Sequence, residues 1–178
     1  MEDLPELRTE RLLLRPYCSG DVDDVFAYAT DPEWARHLPV PIPYTRPDAE
    51  EFVARCILAD PENRLEWAVV HERSVSGGVT LIIQRPGTAE LGYSIARPLW
   101  GQGLTTEAAQ AVVAHGFEEL GLTRIQAYAD IRNTGSWRVM EKLGMQREGL
   151  LRSNRLIHDE RTDDVIYATL RDEWRAGD

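Results

Sequence analysis

Between Glu66 and Ile95 the sequence runs through three short apolar segments, EWAVVH (Glu66–His71), GVTLIIQ (Gly78–Gln84) and AELGYSI (Ala89–Ile95). Only SVSGG and RPGT separate them. Their length and their β-branched and aromatic content are those of strands, and connectors this short join only antiparallel neighbours. An antiparallel meander is therefore the fixed point of the fold, with its turns placed at SVSGG and RPGT. After the meander the hydrophobic period changes. From LWGQGLTTEA (Leu99–Ala108) onward, Leu104, Ala108, Val112, Val113, Phe117 and Leu120 recur at helical spacing up to Gly121, which predicts a long amphipathic helix closed by a glycine.

The flanking segments read in the same way. RLLLRPY (Arg11–Tyr17) predicts a first strand, and Val22, Val25, Phe26 and Ala29 mark a helix over Asp21–Thr30 with Ser19 or Asp21 as its cap. DPEWARHL opens a short second helix on Asp31 and Pro32. Prolines 39, 41, 43 and 47 make PVPIPYTRP a stiff connector. A further helical stripe runs from Asp48 through Ala49, Phe52, Val53, Cys56 and Ile57. Downstream, RIQAYAD (Arg124–Asp130) alternates as a strand, and NTGSWRVMEKLG (Asn133–Gly144) is a short helix capped at Asn133 or Thr134. A closing hairpin spans about Gln146–Arg152 and Asp164–Leu170, with His158-Asp159-Glu160 at its tip. No repeat or linker interrupts the 178 residues, so the chain reads as one domain, 1–178, of mixed α/β class.

Charge narrows the partners. A formal net charge of −10 leaves no surplus of Lys and Arg to displace counterions, which argues against nucleic acid and against anionic membranes. MEDLPELRTE (Met1–Glu10) has no basic start and no apolar core of a secretory signal, and runs such as VTLII (Val79–Ile83) are far too short to span a bilayer. The expectation is a cytoplasmic protein whose two cysteines, Cys18 and Cys56, are reduced core residues. No metal-ligand spacing is visible, and none is expected.

The chemistry concentrates in LWGQGLTTEA. A Walker loop is excluded because its lysine is missing. A dinucleotide fingerprint is approximated by Gly101 and Gly103, with Thr106 where a third glycine belongs, and Asp130 imitates the ribose-binding acid. ARPLW, however, intervenes between strand and loop, and no further βαβ units come after it. Glycines at 101 and 103 let a backbone approach a ligand without Cβ obstruction. The first N–H groups of the adjoining helix are unpaired at its positive end, where a phosphate oxygen binds. Thr105 and Thr106 add hydroxyl donors.

GYSIARPLWGQGLTTEA, with NTGSWRVMEKLGM about thirty residues later, resembles the acetyl-CoA motif and C-terminal signature of the GNAT acyltransferase superfamily. The branch is the one of ribosomal-protein N-terminal (alanine/serine) acetyltransferases. LRTERLLLRP and DVIYATLRDEW extend the likeness over nearly the whole chain. The resemblance implies a GNAT-like fold, a mostly antiparallel central sheet flanked by helices, whose middle strands AELGYSI and RIQAYAD splay apart. It implies that acetyl-CoA lies in the gap, its pantetheine paired with the backbone of Tyr93, Ser94 and Ile95. The pyrophosphate would be wrapped by Gly101, Gln102, Gly103, Leu104, Thr105 and Thr106, with Asn133 opposite.

The implied reaction is attack of a primary amine on the thioester of acetyl-CoA. An α-amine, with a pKa of about 8 against about 10.4 for lysine, needs the less help from a base, so the expected acceptor is a protein or peptide N-terminus. Polyamines and aminoglycosides are the small-molecule alternatives, and an acyl-CoA sensor without turnover is the non-catalytic one. By the same resemblance Glu90 is the base, acting through a water, and Ser136 the acid toward the leaving sulfur. Four positions depart from the family pattern: Trp100, Thr105, Met140 where relatives carry a tyrosine acid, and Arg155 near a glutamate of the ribosomal branch. Trp34 and the 39–47 segment are candidates to line the acceptor pocket, and His37 is a second candidate base. A homodimer is expected by analogy.

Overall fold

The computed structural model describes residues 4–174. Its centre is an eight-stranded sheet in the order β1-β2-β3-β4-β5-β6-β8-β7. β1 (Leu7–Arg8) and β2 (Leu13–Pro16) form an edge hairpin. β3 (Arg64–His71), β4 (Ser74–Arg85) and β5 (Thr88–Ile95) are the antiparallel meander read from the sequence. β6 (Arg124–Asp130) runs parallel to β5, the one parallel pair among the described strands. The long β7 (Gln146–Ile157) and β8 (Glu160–Leu170) close the other edge. The parallel pair requires a crossover connection, which α4 (Leu104–Glu118) supplies.

α4 and α5 (Thr134–Lys142) cover one face of the sheet, where Leu14, Trp67, Leu81, Ile125, Val112 and Phe117 form the larger core. On the other face α1 (Val22–Ala29) and α3 (Arg46–Ile57) pack Val25, Ala29, Ala49 and Val53 against Tyr17, Ala68 and Val75. The very short α2 (Pro32–Ala35) starts as expected on Asp31, whose carboxylate accepts the Glu33 N–H at 2.9 Å. No helix among the described residues is long and apolar enough to cross a membrane.

Several local expectations are corrected. The first meander turn lies at Glu72 and Arg73, both left-handed (φ 50° and 77°), so SVSGG belongs to β4. Its glycines serve packing instead. A Cβ on Gly77 would stand 2.9 Å from the Ile95 Cα and against the Ser94 carbonyl, and the ladder bulges there. Gly77→Ala therefore has to push β4 and β5 apart, and its expected cost is about 1–3 kcal/mol, read as a lower Tm. Asp21 holds the N-cap position of α1 as expected, but its carboxylate makes no cap bond to that helix: buried, it takes a bidentate ion pair from Arg15 (2.6 and 2.8 Å) and the Cys18 N–H. Cys18 is exposed, not core, whereas Cys56 is buried. α3 begins at Arg46, two residues early, because Thr45 and Asp48 form a capping box that tolerates Pro47 in the first turn. β1 is not foreseen by the pattern, since two residues carry no periodicity.

Candidate active site

Strands β5 and β6 pair at three positions only, Thr88 with Arg124, Ala89 with Ile125 and Glu90 with Gln126. Beyond Glu90, β5 stays bonded to β4 as far as Ile95, while β6 stays with β8 as far as Asp130. The facing edges diverge into a wedge that opens at the C-terminal ends of both strands. It carries backbone N–H and C=O groups without a neighbouring strand, which suits an extended polar ligand lying in as an added strand. β5 leads through the glycine loop to the N-terminus of α4, and β6 leads to that of α5. Such crevices beyond parallel strand ends are favoured ligand sites. Here the cleft encloses about 700 Å³.

Strand alternation gives the cleft two sides. Leu91 and Ile95 of β5, and Ile125, Ala127 and Ala129 of β6, point into the core beneath α4 and α5. Tyr93 shares that side, since its hydroxyl reaches the Ser136 carbonyl of α5 at 2.8 Å. Glu90, Tyr128 and Asp130 therefore face the opposite side, where the α2 region lies. His37 confirms the assignment, its Nδ1 standing 3.5 Å from Asp130 Oδ2. Arg97, just before the glycine loop, holds that region through Asp31 (2.5 Å), and His158 Nε2 is 3.2 Å from the Ala35 carbonyl.

The loop is built for an anion. Gly101 and Gly103 have φ of 76° and 80°, and Gly103 is the N-cap residue of α4. The first helical bond runs from the Glu107 N–H to the Gly103 carbonyl at 3.0 Å. The N–H groups of Leu104, Thr105 and Thr106 thus precede the ladder, at the positive end of the helix dipole. Charge agrees with this. The chain is strongly acidic, yet Arg36, Arg132, Arg138, Lys142 and Arg155 line the cleft against Glu33, Glu90 and Asp130.

Glu90 is half-buried and accepts the Gln84 side-chain amide at 2.9 Å. Burial raises its pKa above the usual carboxylate range, against the opposing pull of Arg155 and Arg64. Burial, and next the Glu90 charge, raise the pKa of the Tyr128 phenol, which accepts the Gln126 amide at 2.9 Å. On the other side, the Ser136 hydroxyl donates to the Tyr93 phenol at 3.2 Å. Burial raises the Tyr93 pKa, so that phenol keeps its proton and donates it to the Ser136 carbonyl. The Asn133 side chain accepts the Ser136 N–H at 3.2 Å and so caps α5. Asp130 is desolvated, which raises its pKa, but Arg132 outweighs this and holds the carboxyl below the usual range.

Ten of the twelve residues assigned to catalysis or donor binding border this one cleft: Glu90, Tyr93, Ser94, Ile95, Gly101, Gly103, Thr105, Thr106, Asn133 and Ser136. Two others do not. The Gln102 side chain turns back to the Pro98 carbonyl (3.0 Å), and Leu104 is buried in the core, offering only its backbone. Trp34 and His37 do line the cleft, whereas the lining stops at Leu38 and leaves out the 39–47 connector. Met140 is buried in the core and does not line the cleft. Tyr128, not singled out in the sequence, and Arg155, noted there only as a departure from the family pattern, also line the cleft. Alternation along RIQAYAD is the signal that finds Tyr128; Arg155 requires the register of a strand longer than its apolar part.

Comparison with known proteins names this architecture. Residues 11–146 match the acetyltransferase (GNAT) domain family. The N-acetyltransferase p20 of Bacillus licheniformis is 33% identical over 174 residues, covering 94% of this chain and 97% of that protein. A GNAT-family acetyltransferase from Bacillus anthracis superposes with a TM-score of 0.85 at 31% identity, over 95% of this chain and 100% of that one. The uS5-alanine N-acetyltransferase of Escherichia coli is 31% identical over 87 residues, covering 49% of this chain and 45% of that enzyme. The microcin C7 self-immunity acetyltransferase MccE, solved with acetyl-CoA and AMP, shares the fold (TM-score 0.85, 17% identity, 91% and 93% coverage). The chain belongs to the GNAT acetyltransferase family. It is an N-acetyltransferase.

Proposed function

We propose that this enzyme moves an acetyl group from acetyl-CoA to the N-terminal α-amine of a protein or peptide. The observation that carries the reading is the two-sided wedge, with Glu90 toward α2 and Tyr93 and Ser136 toward α5, meeting where β5 and β6 part. Acetyl-CoA enters along α4 and α5. Its diphosphate sits on the N–H groups of the Gly101–Thr106 loop, and its pantetheine pairs with the free edge of Tyr93, Ser94 and Ile95. Asn133 contacts it from α5. The amine enters past Trp34 and Tyr128.

Two proton transfers accompany the attack. Glu90, through one water, takes a proton from the ammonium so that a neutral amine meets the thioester carbonyl. The second proton, shed by the nitrogen as the C–S bond breaks and the amide forms, passes through the Ser136 hydroxyl, which turns from Tyr93, to the departing CoA sulfur. Holding amine and thioester together across the wedge supplies much of the rate, because positioning can exceed what either proton transfer contributes. An α-amine fits a site with one carboxylate base: its pKa of about 8 leaves a usable neutral fraction at pH 7. The likeness to the uS5-alanine enzyme supports the same acceptor class.

Thiol release from acetyl-CoA, measured against peptides with free N-termini, polyamines and aminoglycosides, tests this directly. Release with the peptides and little with the same peptides N-terminally blocked is the expected result. Release confined to a small amine would replace the acceptor assignment, and tight acetyl-CoA binding without release for any amine would make the protein a sensor.

A further inference from the structure

The N-terminal TERLLLR stretch takes no part in either proton transfer, yet it is bonded directly to the anion loop. Between β1 and β2 the Thr9 N–H donates to the Leu12 carbonyl and the Leu12 N–H to the Thr9 hydroxyl, both at 3.0 Å. The turn so fixed aims three donors at one carboxylate, that of Glu107 in the first turn of α4. The Thr9 hydroxyl reaches Oε1 at 2.5 Å, the Arg11 N–H reaches Oε1 at 2.9 Å and Arg11 Nε reaches Oε2 at 2.7 Å. Arg11 Nη1 then reaches on to the Gln102 carbonyl inside the loop, at 3.0 Å.

The chemistry of that contact is particular. A carboxylate in the first turn of a helix competes for the same positive pole that would hold a phosphate. Burial raises the Glu107 pKa, but Thr9 and Arg11 outweigh it and keep the carboxyl below its usual range, so the charge persists at neutral pH. Left free, it would stand one turn from the diphosphate and repel it. The Gln102 carbonyl is likewise an acceptor within a loop that needs only donors.

We propose that Arg11, with Thr9, is a positioning residue for the acyl donor: it neutralises Glu107, turns the Gln102 carbonyl away, and leaves the loop presenting N–H groups alone to the diphosphate. The proposal rests on the acetyl-CoA reading of the loop. Arg11 touches neither the thioester nor the amine. Its effect is therefore confined to donors that carry the diphosphate.

The test compares acetyl-CoA with S-acetylpantetheine, which has the same thioester and no phosphate, in the wild type, R11Q, R11K and R11Q/E107Q. In R11Q, kcat/KM for acetyl-CoA is expected to fall about 10- to 100-fold, mostly through KM, the size of lost charge-assisted hydrogen bonds. For acetylpantetheine it should change far less. Removing the exposed charge in R11Q/E107Q should recover much of the loss, and raising ionic strength should narrow the gap between R11Q and wild type. R11K keeps the charge but not the fork, and should fall between wild type and R11Q. If R11Q loses equally on both donors, or if R11Q/E107Q is worse than R11Q, the clasp is only structural and the proposal is overturned. A wild type that does not prefer acetyl-CoA over acetylpantetheine would instead overturn the loop reading, and the clasp with it.

Discussion

Glu90→Gln is expected to lower kcat about 100-fold or more, the scale of a lost general base, without a comparable change in acetyl-CoA affinity. The geometry separates the two effects. Glu90 sits at the last position where β5 pairs with β6 and faces α2, whereas the loop and Asn133 hold the donor from beyond that point. Glutamine keeps the shape and can still meet the Gln84 amide with its carbonyl oxygen, so the fold has no reason to respond. Loss of affinity matching the loss of rate would mean that Glu90 orders the donor and is not a base.

The pH profile makes the same prediction sharper. A base works deprotonated, and burial raises the Glu90 pKa, with Arg155 and Arg64 opposing. Wild-type kcat/KM should therefore rise with pH on the acid side through that raised value, later than an ordinary carboxylate would require. In E90Q this limb disappears, and only the rise through the amine's own pKa, about 8 for an α-amine, remains. An unchanged acid limb in the variant would transfer the role elsewhere. His37, held at the mouth of the cleft against Asp130, is the next residue to examine.

How much of this fold is legible in the sequence depends on the range of the interactions involved. The meander, the long helix and RIQAYAD are legible because period and turn length are local properties. Asn133 is legible as a cap for the same reason. Local patterns also reveal the glycine loop, since two left-handed positions one residue apart have few uses besides a backbone-presented site. The divergence of β5 and β6 comes only through family resemblance, because nothing within either strand records where their pairing ends. Asp21 reads as a cap and holds that position, yet its carboxylate bonds Arg15 rather than the helix, since the preference of an acid for a helix start says nothing of Arg15 nearby on β2. SVSGG reads as a turn because glycine marks both left-handed backbone and close approach, and at Gly77 it is the approach of Ser94 and Ile95 that decides. Thr9 and Arg11 are nearly a hundred residues from Glu107 in the chain, so no pattern in the sequence joins them.

A buried cluster beside the cleft carries the largest stability effect. Asp130 and Asp164 stand directly opposite each other on β6 and β8, and both are buried. Two carboxylates so placed repel unless each is answered, and each has its own arginine. Arg132 pairs with Asp130 at 2.7 Å, while Arg155 takes Asp164 in a fork at 2.6 and 2.7 Å, with the Asn154 amide at 2.7 Å. The Arg155 side chain is partly exposed, whereas that of Asp164 is wholly buried (34% against 0%), so the two deletions are unequal. Asp164→Asn frees an arginine that can turn to water. Arg155→Met leaves a buried charge facing another, and its expected cost is about 3–5 kcal/mol, that of breaking a buried pair from one side. Denaturant unfolding should show R155M far less stable than D164N, and R155M/D164N should recover most of the difference. Equal losses in the two single variants would mean that the fork is worth its hydrogen bonds alone, and that the facing carboxylates do not need their arginines to remain buried.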